Sequence, residues 1–167
     1  MSTETNFVSI DDRLKTMGLI LPLAPRLPDG QALRFSWCRV YGDRVYVSGH
    51  TAQAPDGSFT GPKGKVGAEV TFEQAQQAAK LAALSVLASV KRAIGDLDRV
   101  TAWLTISGLV NVSPGFSNTT GVIDGFSDLI LDLFGEDIGS HARTAIGVAQ
   151  LPLNFSVVIA AEIAFRI

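Results

Sequence analysis

The chain has 167 residues, of which 47% are hydrophobic and 18% charged, and its formal net charge is −2. That length and apolar content suit one globular domain over residues 1–167, with a substantial core and no second domain. Acidic and basic residues are interspersed, which leaves no basic footprint for a nucleic-acid backbone, and no apolar run approaches the roughly 20 residues of a bilayer span.

The lone cysteine, Cys38, cannot close an intrachain disulfide, and Met1 to Asn6 lacks the basic and apolar regions of a signal peptide. The cytoplasm is therefore the expected compartment, and no membrane partner is expected. Residues 1–33 read as an N-terminal extension with a short helix and a Pro-rich loop. The helix follows Ser9, with Asp11 and Asp12 in its first turn and Gly18 as its stop. Leu19 to Gln31 then carries Pro22, Pro25, Pro28 and Gly30, too many breakers for a regular element. Arg34 to Tyr41 and Arg44 to Ser48 are β-rich runs around Gly42-Asp43, a tight hairpin turn. Ala54 to Gly57 and Gly61 to Gly64 are turn clusters on either side of a short segment. They do not make a phosphate loop, because Val66 follows Lys65 where the motif needs a hydroxyl.

Thr71 to Ile94 is the clearest helix. Thr71 and Gln74 have the spacing of a capping box, the middle is rich in Ala and Leu, and Gly95 supplies the stop. Ala75, Ala79, Ala82, Val86, Val90 and Ala93 form a narrow stripe that packs on a sheet, with Glu73, Gln77, Lys80 and Lys91 facing water. Arg99 to Val110 reads as a long, central strand, with Val100, Ala102, Leu104 and Ile106 on one face and Thr101, Trp103 and Thr105 on the other. Val122 to Phe134 is a second amphipathic helix ending at Gly135, its apolar row being Ile123, Phe126, Ile130 and Phe134. Two strands follow, His141 to Val148 and a run from Val157 to Ile167. The order β-β-α-β-α-β-β places two helices on one face of a mixed sheet, an α+β architecture. The uncovered face needs a partner.

Arg143 is the first site candidate. It sits among small and β-branched residues on a strand, so its guanidinium must find an anion or reach solvent. The planar fork matches a carboxylate bidentately, which suits anchoring a small acid; a structural salt bridge is the plainer alternative. His141 precedes it by two and shares its face on a regular strand, either as a general acid or base or as a hydrogen-bonded cleft histidine. His50 carries the same two readings. Two histidines separated by most of the chain do not make a metal site, so neither a metal nor another cofactor is expected. Cys38 has no activating partner in sequence and reads as buried and inert.

The segment His141-Ala142-Arg143-Thr144-Ala145-Ile146-Gly147-Val148 with Leu151-Pro152-Leu153, the triplet Ser48-Gly49-His50, Gly64-Lys65-Val66-Gly67 and Gly95 to Val100 together resemble the RidA/YjgF (L-PSP endoribonuclease-like) family, in its longer subgroup. The resemblance runs from about Arg13 to the C-terminus and implies a chorismate-mutase-like fold. It further implies a homotrimer with the sheets facing inward and clefts between neighbouring subunits. In the deaminase branch the arginine matching Arg143 binds the carboxylate of a 2-imino acid, which is hydrolysed to the 2-keto acid and ammonia. The peptide at Ala145 assists there. Ser48 and Gly49 match the family's S-G pair, with His50 where glutamine is usual, Phe35 at a substrate-side tyrosine and Asp124 near a frequent asparagine. The branch's glutamate, thought to position or activate the attacking water, falls at Val158, and a valine cannot accept a proton. Glu162 has the same strand parity but lies about 13 Å further along a regular strand. Three functions follow from the resemblance: a weak imine or enamine deaminase, a non-catalytic or regulatory binder of small carboxylated metabolites, and an endoribonuclease or translation inhibitor. The last finds no support in charge or in a stacking aromatic pattern.

Overall fold

The computed structural model describes residues 8–29 and 31–167, so the first seven residues of the extension and its Gly30 lie outside the described residues. Five strands and two long helices form the body: β1 (Cys38–Tyr41), β2 (Arg44–His50), α2 (Phe72–Ile94), β3 (Val100–Asn111), α3 (Thr119–Gly139), β4 (Ala142–Val148) and β5 (Val157–Phe165), preceded by the short α1 (Ile10–Thr16). The sheet order is β1-β2-β5-β3-β4, with β3 and β4 parallel and the other pairs antiparallel. This is the α+β mixed sheet expected from the element order, with α2 and α3 packed together over one face.

The first strand is shorter than expected. Residues 34–37 leave the ladder, because the Trp37 carbonyl takes the Ser48 N–H and the Ser36 carbonyl takes the Ser48 hydroxyl. The second strand runs on to His50. Between them Gly42, at φ 57, turns the chain in two residues.

Helix α2 starts and stops where its sequence says. Thr71 accepts from Gln74 N at 3.1 Å, Gln74 returns the bond to Thr71 N at 2.9 Å, and Gly95 caps the other end. The expected stripe is corrected at one position: Ala93 is exposed and Ile94 is buried in its place. From Ala82 to Val90 every residue is buried, Ser85 and Ser89 included. A one-sided helix would not be, and the extension supplies the other wall. Arg92 donates to the Pro22 carbonyl, Arg13 of α1 to the Leu133 carbonyl, and Ile10 and Leu14 enter the core. The two long helices touch closely at Gly125, where a Cβ would stand 2.2 Å from the Gln76 carbonyl oxygen.

Strand β3 departs from a simple alternation. Its register with β5 shifts twice, between Val100 and Ala102 and between Trp103 and Thr105, so Val100, Trp103 and Ile106 face the helices at intervals of three. Trp103, expected on the face opposite Val100 and Ile106, is 1% exposed and packs edge-on against Phe126 and Phe134 of α3, while Leu104 is turned partly outward. Helix α3 begins at Thr119, three residues before the expected start, with Asn118 as its N-cap. It breaks where expected, at Gly135 (φ 73, ψ 172), and one further turn runs to Gly139.

Among the described residues no α-helix covers the other face of the sheet. Its central rows read Tyr46, Glu162, Thr105 and Ala142 across one line, and Val158, Leu109 and Ile146 across another. Tyr46 and Ile146 are exposed, as is Tyr41 on the β1 edge. Apolar side chains on an unpaired sheet face favour association with a second copy. The resemblance implies that this association is a homotrimer, so the mass expected in light scattering at micromolar concentration is that of three chains, and a stable monomer would contradict it.

Candidate functional site

Arg143 lies on β4, an edge strand, and pairs across the ladder with Ile106, which places it on the helix-covered face. Its guanidinium leans on α3. Nη1 donates to Asp124 Oδ1 at 2.8 Å and to Ser127 Oγ at 3.0 Å, and Nη2 reaches the Thr120 carbonyl at 3.4 Å. Asp124 and Ser127 stand three apart on one helix face, which is why both meet the same arginine. The arginine side chain is 18% exposed and that of Asp124 46%.

His141 shares this cluster, as its spacing from Arg143 predicts. Its Nδ1 lies 2.7 Å from the Gly139 carbonyl, which can only accept, so Nδ1 carries the proton. Nε2 then accepts from the Ser127 hydroxyl at 2.9 Å, and the same oxygen accepts from Arg143. A relay therefore runs from Arg143 through Ser127 and His141 to a backbone carbonyl. A cavity of about 250 Å³ opens over it, lined by Ser127, Leu131, Ser140, His141 and Arg143. Ala145 follows on the same strand, and its carbonyl accepts from the Thr119 hydroxyl at 2.9 Å.

The remaining sequence candidates gather elsewhere. Phe35, Gly49, His50 and Val158 line an apolar cavity of about 260 Å³, with Trp37, Phe59 and Phe155 in its walls and Pro25 and Leu27 from the extension over it. Gly49 is required there: a Cβ would meet Val158 Cγ1 at 2.7 Å. Ser48 spends its hydroxyl on the Ser36 carbonyl at 2.7 Å. Val158 pairs with Leu109 on the uncovered face, whereas Arg143 is on the helix face, so within one protomer the two are on opposite sides of the sheet. Glu162 is also on the uncovered face, held by Arg44 at 3.2 Å.

His50 points inward. It is 2% exposed, its Nδ1 is 2.6 Å from the Ser48 carbonyl and its Nε2 is 2.8 Å from Ser89 Oγ, which accepts from Arg92 at 2.9 Å. This second Arg-Ser-His relay has the same order of donors as the first, ending on a carbonyl two residues before the histidine. It is buried, and burial lowers the His50 pKa to about 4, opposed by the Ser48 carbonyl and aided by the Arg92 charge. Cys38 nearby is half-buried, and desolvation pushes its thiol up to about 11 against the Arg92 charge, which keeps it protonated and unreactive. Lys65 of the Gly64 to Gly67 motif serves the backbone: its ammonium donates to Asn111 Oδ1 at 3.0 Å and to the Ala149 carbonyl.

Sequence reasoning missed Ser127 and Ser89, the hydroxyls that join each arginine to its histidine. The local signal was present in Asp124-x-x-Ser127 and Ser89-x-x-Arg92, pairs at helical spacing. Their partners lie on other elements, which no local pattern reveals.

Relatives share this architecture. The model of the YjgF/chorismate mutase-like family, described as candidate endoribonucleases, matches residues 28–163. Protein TCP17 of Trypanosoma cruzi is 39% identical over 145 residues, 86% of each chain. A solved structure from Agrobacterium tumefaciens, of unknown function, is 36% identical with a TM-score of 0.83, covering 95% of this chain and 93% of that one. A candidate endoribonuclease from Shewanella oneidensis is 27% identical with a TM-score of 0.84, covering 95% of this chain and 100% of that one. With the family pattern spanning both Gly49 and Arg143, and with a relative this similar over most of its length, the chain belongs to the RidA/YjgF family.

Proposed function

We propose that the protein is a weak RidA-type deaminase that hydrolyses small 2-imino acids to 2-keto acids and ammonia, at clefts between the subunits of a homotrimer. The observation that carries this reading is Arg143: a partly exposed guanidinium on an edge strand, oriented by Asp124 and Ser127, with Nε making no hydrogen bond among the described residues. Nε and Nη2 form the edge that takes a carboxylate side by side. The imine is itself reactive, so holding it and stabilising charge beside it supplies most of what catalysis needs.

In this reading the whole chain, 1–167, is one domain, and the extension over residues 1–33 is part of it. The cleft is completed between subunits, the β4 edge of one copy meeting the Phe35, Gly49 and Val158 region of the next. The second reading is a carboxylate binder without chemistry, favoured by the valine at position 158. An RNA-cleaving role draws no support from a net charge of −2.

Ammonia release from freshly generated 2-imino acids separates the two. The deaminase reading expects release above the spontaneous rate, rising in proportion to protein concentration. Release at the spontaneous rate, with intact binding of 2-keto acids, would leave the binder.

A further inference from the structure

Arg143 is not a bare cation. Its closest partner is a carboxylate, Asp124, at 2.8 Å, so the site as a whole is neutral and a monoanion held by the guanidinium also meets a negative charge beside it. A ligand that brings both a carboxylate and a positive charge fits better, and a protonated 2-imino acid is such a ligand. Asp124 also has a free side. Only Oδ1 is bound, to Arg143; Oδ2 makes no hydrogen bond among the described residues, and nearly half of the side chain is open to solvent. No other carboxylate among the described residues pairs with Arg143. Glu162 lies on the opposite face, held by Arg44.

Resting on the deaminase reading, we infer that Asp124 is the proton-handling carboxylate of this site, holding the iminium N–H of the substrate and activating the attacking water. Water oxygen bonds to C2 as the π pair of the C=N bond moves onto nitrogen, and Asp124 takes the proton that water gives up. It returns that proton to the amine nitrogen of the carbinolamine. The C–N bond then breaks with its pair on nitrogen, and the O–H pair closes the carbonyl. The hydroxyl proton passes through Asp124 to the departing ammonia. Iminium and water thus give keto acid and ammonium, with Asp124 regenerated. A carboxylate on α3 would take the place of the one that Val158 cannot supply.

The test compares Asp124→Asn with wild type in two assays: ammonia release from 2-imino acids formed in situ by an amino-acid oxidase, and calorimetric binding of pyruvate. General-base assistance typically contributes about 10²–10⁴-fold, and a reactive imine needs less of it, so kcat of Asp124→Asn should fall about 30-fold. Pyruvate should bind equally well or more tightly, because a negative charge beside Arg143 is gone. Asp124→Glu, which keeps the carboxylate one methylene further out, should retain part of the turnover. If Asp124 only holds Arg143 in place, Asp124→Asn instead weakens pyruvate binding and leaves kcat unchanged, and the inference is overturned. Wild type with no acceleration over the spontaneous rate removes the deaminase reading itself; active wild type with an equally active Asp124→Asn removes this inference alone.

Discussion

Between pH 6.5 and 4 the folded protein is expected to lose about 3 kcal/mol of stability through one side chain, His50. In the unfolded chain its imidazole takes up a proton near the ordinary value of 6.5, whereas in the folded protein burial delays protonation to about 4. As the pH falls below 6.5 the unfolded state therefore binds a proton that the native state refuses, and the equilibrium moves toward unfolding. Above 6.5 both states hold neutral histidine and the effect vanishes. Each unit of difference corresponds to about 1.4 kcal/mol, and the gap from 6.5 to 4 gives the figure above. The environment explains why the charged form is refused: Trp37 lies against the ring at 5.1 Å, the Arg92 charge stands one hydroxyl away, and Ser89 already donates to Nε2. Urea unfolding at pH 7, 5.5 and 4 should show the loss in wild type. His50→Gln, less stable at pH 7 because its bonds are imperfect, should lose about 3 kcal/mol less than wild type over the same pH range. Parallel slopes in the two proteins would mean that His50 titrates normally in the fold.

The elements that were legible in the sequence are those whose signals are local. Thr71, Gln74 and Gly95 fix both ends of α2 through bonds within four residues, and the apolar row Ile123, Phe126, Ile130 and Phe134 does point into the core. Strand β3 was misread because alternation by two assumes an unbroken ladder. Two register shifts turn Trp103 inward, and they arise from pairing with β5, some 60 residues later in the chain. The all-round burial of α2 was hidden for the same reason, since its outer wall is an extension whose prolines only announce a loop. At the candidate site, Arg143 and His141 share a face because both belong to one strand segment. Asp124 is 19 residues from its arginine and on another element, so its pairing could be suggested by resemblance but not read from spacing. The two-sided placement of Arg143 and Val158 was likewise invisible: parity orders residues within a strand, and nothing local relates the parity of β4 to that of β5.

Removing the guanidinium is expected to have the largest effect on ligand binding. Arg143→Ala deletes the cation paired with Asp124 and leaves that carboxylate in the site, which turns from neutral to negative. A 2-keto acid then loses its charge-assisted bonds and also meets a like charge. Truncating one partner of such a pair typically costs about 2–5 kcal/mol, so affinity should fall by about 30-fold or more. The fold should tolerate the change. Asp124 is 46% exposed and rehydrates, and Ser127 keeps its bond to His141, so the stability loss should stay within about 1 kcal/mol. Arg143→Lys separates charge from geometry. An ammonium keeps the positive charge but cannot serve Asp124, Ser127 and a ligand carboxylate through one planar fork, and binding should weaken by about 10-fold. Calorimetry with pyruvate and 2-oxobutanoate, alongside light scattering to confirm an unchanged assembly, reads these outcomes directly. Equal affinity in Arg143→Ala and wild type would place the carboxylate site elsewhere on the molecule and reduce the Arg143–Asp124 pair to a structural tie between β4 and α3.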